Sequence, residues 1–227
     1  MTTPPPTSWT TLLIDLDDTV YPSSAGVWDA IADNMDRYMI EVLGIPQPEV
    51  RSLRVQLFKA YGTTLRGLQM TRPIDTPGFL KFVHDVPVER MLAPAPELRR
   101  VLNAYPQRKA IFTNADQHHA RRVIRQLQVE ECFDAIVDIV DIDPYCKPMP
   151  EAFAIALKKL GVSSPAECVF IDDSLRNLAG ARALGFYTIR VGSDQPAPEC
   201  HASILRLDDL PCVLPPEVPA QELSPYG

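Results

Sequence analysis

The chain is short of positive charge: 22 Lys and Arg stand against 29 Asp and Glu in 227 residues, a net charge of −7 with a sequence pI near 5.1. Polyanions are bound by basic stripes, so a nucleic-acid polymer is not expected as a partner, whereas a small phosphate would need only a local cation. No run of about 18 apolar residues occurs and no charged-then-apolar leader is visible, so neither a membrane span nor a secretory segment is expected. Cysteine is scarce and scattered: Cys132, Cys146, Cys168, Cys200 and Cys212 are odd in number and form no Cys-x-x-Cys pair. That argues against a zinc site and for reduced thiols in a cytoplasmic protein. Cys146 abuts Lys147, which could activate it in part, although passive packing is the commoner role. No internal repeat is present, so no repeat architecture needs to be considered.

What the chain does have is enough apolar residue, 46%, to bury a substantial core, and a length that suits one domain with a large insertion or two small ones. Its ends differ from its middle. Residues 1–10 are rich in Ser, Thr and Pro, and the stretch beyond Ser193 carries Pro196, Pro198, Pro211, Pro215, Pro216, Pro219 and Pro225. Proline disfavours regular helix and strand, so tails are expected over 1–10 and 208–227, with Ile204-Leu205-Arg206-Leu207 as a last edge element.

Three short apolar runs each end abruptly in a polar residue: Leu12-Leu13-Ile14 before Asp15, Ala110-Ile111-Phe112 before Thr113, and Cys168-Val169-Phe170-Ile171 before Asp172. Such runs read as strands buried on both faces, the mark of a parallel sheet covered by helices. In open α/β sheets ligands bind beyond the carboxyl ends of the strands, so these three endings can converge on one site. The set they bring together, Asp15-Leu16-Asp17-Asp18-Thr19, Thr113-Asn114, Lys147 and Asp172-Asp173, contains what phosphoryl transfer through an aspartate requires. That reaction needs a carboxylate nucleophile, an acid for the departing oxygen, a hydroxyl and a cation for the phosphate, and carboxylates for a metal. No single patch decides this. Asp141-Ile142-Asp143 repeats the Asp-x-Asp spacing in the same chain, and Asp172-Asp173 or Thr113-Asn114 could simply cap helices.

Between the first two strands, Val27, Ile31, Met35, Met39 and Val42 recur at helical spacing up to Gly44, and Val50, Leu53, Leu57 and Tyr61 continue in a second helix up to Gly62. Thr64 to Met70 and Gly78 to His84 read as shorter helices. A strand crossover needs only about a dozen residues, so the interval from Asp15 to Thr113 implies an inserted helical cap over 21–90. The core is then 11–20 with 91–207. Helices over Pro150 to Leu160 and Leu175 to Leu184, and strands over Phe133 to Val137 and Phe186 to Val191, complete a doubly wound parallel α/β core.

The ordered patches resemble the haloacid-dehalogenase-type (HAD) phosphohydrolases over roughly residues 11–191. Asp15-Leu-Asp-Asp-Thr-Val-Tyr-Pro22, Tyr61-Gly-Thr-Thr-Leu-Arg-Gly-Leu68, Phe112-Thr-Asn-Ala115 with His119-Ala120, Cys146-Lys-Pro148 and Ile171-Asp-Asp-Ser174 further resemble the pyrimidine 5′-nucleotidase branch. The resemblance implies Asp15 as nucleophile and Asp17 as acid and base. It implies Thr113, Asn114 and Lys147 on the phosphate, and Mg²⁺ held by Asp15, the carbonyl of Asp17 and the Asp172-Asp173 pair, which the sequence cannot tell apart. Substrate selection would fall to the insertion, where Tyr21, Tyr61 and Arg66, with Trp28 and Leu65, could contact a base or sugar. His118 and His119 lie in a polar-looking stretch with Arg121 and Arg122, and surface or structural roles are expected for them. The implied activity is hydrolysis of a small phosphorylated metabolite, a nucleoside 5′-monophosphate foremost. Rivals are a sugar-phosphate hydrolase or mutase, a dehalogenase, and a non-catalytic HAD-fold binding or signalling protein.

Overall fold

The computed structural model describes residues 9–216, so of the tails expected over 1–10 and 208–227 the parts 1–8 and 217–227 lie outside the described residues. Six strands, β1 (Thr11–Ile14), β2 (Arg108–Phe112), β3 (Ala135–Val137), β4 (Cys168–Asp172), β5 (Tyr187–Val191) and β6 (Ala202–Ile204), form one sheet in the order β3-β2-β1-β4-β5-β6. Every neighbouring pair is parallel. The doubly wound parallel core expected from the apolar runs is therefore present. Every residue of β1 and β4 is buried, as strands covered on both faces must be. Under the sheet, Phe112, Phe153, Phe170 and Phe186 form a ring cluster with centroids 5.3 to 6.3 Å apart.

Between β1 and β2 the chain forms α1 (Val27–Glu41), α2 (Gln47–Tyr61), α3 (Thr64–Thr71) and α4 (Thr76–Val83), then the short α5 (Val88–Met91) and α6 (Pro96–Asn103). Thr63 Oγ1 caps α3 by accepting from Arg66 N at 3.1 Å, and Asp75 Oδ1 caps α4 by accepting from Gly78 N at 3.1 Å. Gly67 lets α2 and α3 touch: a Cβ there would fall 2.5 Å from Leu57 Cβ. Helices α7 (Gln117–Gln126), α8 (Pro150–Leu160) and α9 (Leu175–Ala183) complete the layers around the sheet.

Three stretches differ from the sequence reading. Nothing was assigned to 96–103, although Leu98, Val101 and Leu102 make a buried stripe at helical spacing. The last edge strand is Ala202–Ile204, two residues earlier than expected, and Leu205 is exposed. The stretch from 208 is not loose as far as it is described. Leu207–Cys212 winds into a 3₁₀ turn, Leu207, Leu210 and Leu214 are buried, and Tyr105 Oη donates to Leu214 O at 2.6 Å. Proline removes ladder donors but leaves leucines at turn spacing free to dock. At the other end Trp9 is buried with its ring 6.2 Å from Tyr105. Among the described residues no helix is long and apolar enough to cross a membrane.

Candidate active site

The sheet delivers the acidic residues to one place. Asp15 follows β1 directly and its N–H donates to Ile171 O at 2.8 Å, extending the pairing with β4 by one step. Asp172 is the last residue of β4, and Thr113 follows β2, its N–H bonded to Val137 O at 3.0 Å. Lys147 arrives on the connection between β3 and α8. Its ammonium, in a side chain 1% exposed, donates to Asp15 Oδ1 at 2.5 Å and Asp172 Oδ2 at 2.8 Å. The rings of Phe112 and Phe170 lie 5.3 and 5.4 Å from it. Burial alone would discharge a lysine, but the two carboxylates outweigh it and hold Lys147 protonated, with its pKa above the ordinary value.

One carboxylate oxygen each from Asp15, Asp172 and Asp173 lies within 4.8 Å of the others. Burial pushes the Asp15 carboxyl well up, Asp172 and Asp173 add to this, and Lys147 offsets only part. Asp173 is pushed up to about 7 by burial and then by Asp172, and Asp18 to about 6 by burial and Asp17. Crowded carboxyls that keep their protons are what a missing positive charge produces, and an all-oxygen set of this kind fits a hard divalent cation such as Mg²⁺. The two late acids differ. Asp172 is fully buried and accepts from Lys147, from Ser174 N at 2.9 Å and from Asn177 Nδ2 at 3.1 Å. No other side chain donates to Asp173 among the described residues. The cap of α9 is Ser174, whose side chain accepts from Asn177 N, so the acidic pair is not used as the cap.

Asp17, two residues beyond Asp15, has different company. Tyr21 Oη donates to its Oδ1 at 2.5 Å, and His119 Nε2 lies 2.8 Å from the same oxygen. Burial raises the Asp17 carboxyl, but His119 and Tyr21 outweigh it and leave it below the ordinary carboxylate range. His119, expected to have a surface or structural role, is fully buried and belongs to the inward stripe of α7 with Ala120, Val123 and Ile124. Its place four residues before Val123 was the available signal. His84 stacks on it with centroids 4.6 Å apart and planes at 14°. His118 is exposed.

The other expected site residues divide. Thr113 Oγ1 accepts from Ala115 N at 2.9 Å, which leaves its hydroxyl proton to donate. Thr19 Oγ1 donates to Asp15 Oδ2 at 3.2 Å. The Asn114 amide bridges the backbone of Lys147 at 2.9 and 3.2 Å and so braces the lysine loop. Arg66 is another brace. Nε reaches Tyr145 O, Nη1 reaches Gln69 and Asp143, and Nη2 reaches Ile139 O and Tyr145 O. All five N–H groups are engaged, so Arg66 anchors α3 to the loop after β3, from a position on the wall of the neighbouring cleft. Tyr21 is likewise taken up by Asp17. Tyr61 packs partly buried against the core, with its carbonyl 3.4 Å from Cys146 Sγ, and Trp28 is 43% exposed on α1. A cleft of about 1080 Å³ opens beside this site and not over Asp15, with Leu65, Arg66, Leu80, His84, Asp116 and Ile139 on its walls.

A family model of haloacid dehalogenase-like hydrolases matches residues 9–185. The chain belongs to that family. This HAD hydrolase is 28% identical over 185 residues to phosphate metabolism protein 8 of Saccharomyces cerevisiae, covering 75% of the chain and 58% of that protein. It is 30% identical over 101 residues to a Xanthobacter autotrophicus (S)-2-haloacid dehalogenase, covering 44% and 39%. The HAD hydrolase therefore spans less than two thirds of these curated relatives. Its fold is similar to that of the Bacillus subtilis HAD-hydrolase YfnB, solved bound to magnesium, with a TM-score of 0.59 at 19% identity over 91% of this chain and 99% of that one.

Proposed function

We propose that this HAD hydrolase is a Mg²⁺-dependent phosphomonoesterase working through an aspartyl-phosphate on Asp15, with a nucleoside 5′-monophosphate, pyrimidine foremost, as substrate. The observation that carries the reading is the Lys147 ammonium shared between Asp15 and Asp172, with Asp173 in the same carboxylate cluster. A carboxylate and a phosphate oxygen about 4 Å apart repel by roughly 4 kcal/mol at an effective dielectric near 20, so positive charge must accompany the attack. Lys147 carries one unit. Asp15, Asp173 and the carbonyl of Asp17 would hold the metal, with Asp172 supporting from its bonds to Lys147 and Asn177. Bound there, Mg²⁺ would neutralise phosphate oxygens.

A carboxylate oxygen of Asp15 attacks phosphorus, the ester P–O bond breaks, and the leaving oxygen takes a proton from Asp17. Water then attacks the phosphorus, Asp17 takes its proton, the bond to Asp15 breaks, and inorganic phosphate departs. A carboxyl below the ordinary range suits the second half, and the negative charge of a bound phosphate raises it toward the protonated form the first half needs. The Thr113 hydroxyl holds a phosphate oxygen, whereas the N–H groups of Gln117 and His119 at the start of α7 are already taken by Asp138 and Asp116. The cleft beside His84 is suited in size to a nucleoside leaving group.

The test is phosphate release from UMP, CMP, sugar phosphates and an aryl phosphate, with Mg²⁺ and with a chelator. Turnover that the chelator abolishes and that favours UMP or CMP is expected. A tenfold preference for sugar phosphates would overturn the nucleotide assignment. Chelator-insensitive activity on haloacids would overturn the reaction itself, since dehalogenation leaves Asp17 and Asp173 without a task.

A further inference from the structure

Two donors converge on one oxygen of Asp17. Tyr21 Oη lies 2.5 Å and His119 Nε2 2.8 Å from Oδ1, while Oδ2 receives no hydrogen bond among the described residues. The terminal torsion of an aspartate is broad, so an unbraced carboxyl samples many orientations. A group that must meet a leaving oxygen in the transition state gains rate from being held in one.

The brace is itself braced. His119 is fully buried and flat against His84. Asp116 ties both: Oδ1 accepts from His119 N at 2.7 Å and Oδ2 lies 2.9 Å from His84 Nδ1. His84 sits where the chain leaves α4 toward the core, and Arg122 of α7 clamps that segment by donating to His84 O at 3.0 Å and Val86 O at 2.7 Å. One further detail favours a positioning task over packing. His119 Nδ1 is buried without a partner, a defect that costs about 1 to 3 kcal/mol and that an apolar residue would avoid. The histidine is worth keeping there for its other nitrogen.

We propose that His119 and Tyr21 are positioning residues that hold Oδ1 of Asp17 and so commit Oδ2 to the leaving group, an inference that rests on the phosphomonoesterase reading above. Departure of an alkoxide depends on the acid, whereas departure of p-nitrophenolate scarcely does. The test compares kcat and KM of wild type, His119→Leu, His119→Gln and Tyr21→Phe on p-nitrophenyl phosphate and on the best alkyl phosphomonoester of the panel. His119→Leu is expected to lose about tenfold to a hundredfold more kcat/KM, which reports the leaving-group step and not the shared hydrolysis step, on the alkyl ester than on the aryl ester. His119→Gln, whose amide N–H reaches to a similar depth, should recover most of that difference, and Tyr21→Phe should show the same selectivity at smaller size. Equal losses on both esters in all three variants, or no recovery in His119→Gln, would make His119 a packing residue and overturn the inference. Wild-type protein that releases phosphate from no ester would instead overturn the phosphomonoesterase reading, a result recognisable without any variant.

Discussion

The surroundings of Asp15 and of Asp17 are built from different materials although the two residues are separated only by Leu16. Asp15 lies among carboxylates with one ammonium between them, and its carboxyl is pushed up; Asp17 lies against a phenol and an imidazole, and its carboxyl is held down. Both shifts run against the proposed roles until charge is added: a cation beside Asp15 favours the ionised nucleophile, and an anionic substrate beside Asp17 favours the protonated acid. The first environment is short of positive charge and suits a cation and an anionic substrate. The second is satisfied by the protein and suits a group that must be aimed.

The most severe way to break this contrast is Asp15→Asn. Loss of the nucleophile should lower phosphate release by about 10⁴-fold or more, measured in the steady state with unchanged circular dichroism, because residues acting as a unit fail together. Next comes Lys147→Met, which leaves Asp15 and Asp172 facing each other without their shared cation. Breaking a buried pair costs about 3 to 5 kcal/mol, readable as a lower denaturation midpoint, and activity should fall with it.

Asp173→Asn should do the opposite to stability. In the folded chain Asp173 keeps its proton up to about pH 7, whereas an unfolded carboxyl gives it up near the ordinary value of 3.8. Each rise in pH between those values therefore favours the unfolded chain, by on the order of 2 to 4 kcal/mol across the window. Without added metal the variant should melt several degrees above wild type at pH 8 and at the same temperature as wild type at pH 4, while losing the Mg²⁺-dependent phosphatase activity. A variant less stable at pH 8 would contradict the crowding of carboxylates. The smallest effect belongs to Thr19→Val, which removes one hydrogen bond to Asp15 Oδ2 and should cost about 1 kcal/mol in chemical denaturation.

The contrast was half legible in the sequence. Asp15, Thr113 and Asp172 could be placed because each follows an apolar run, and a parallel sheet brings such endings together. Lys147 could be named only by resemblance, since nothing local marks it as buried. Ala120, Val123, Ile124 and Leu127 mark the inward face of α7 in the sequence, but the polar neighbours Gln117, His118, Arg121 and Arg122 kept His119 off it. The bracing partners of Arg66 and Asn114 were not legible because they lie far off along the chain: Tyr145 and Ile139 for the arginine, the backbone of Lys147 for the asparagine. Local pattern reports which face of an element is buried, not which distant carbonyl will claim a donor. Leu210 and Leu214 were missed for a different reason, since their proline-rich surroundings suggested a tail.

The claim on which the rest depends is that Asp15, in its crowded and cation-demanding surroundings, carries the phosphoryl group. Quenching the enzyme during turnover of a phosphomonoester, reducing with borohydride and sequencing the peptides by mass spectrometry tests it directly, because an aspartyl-phosphate is reduced to homoserine. Homoserine at position 15, with aspartate retained at position 17, is the expected result. Steady phosphate release with intact aspartate at position 15, or with homoserine at another position, would contradict the account.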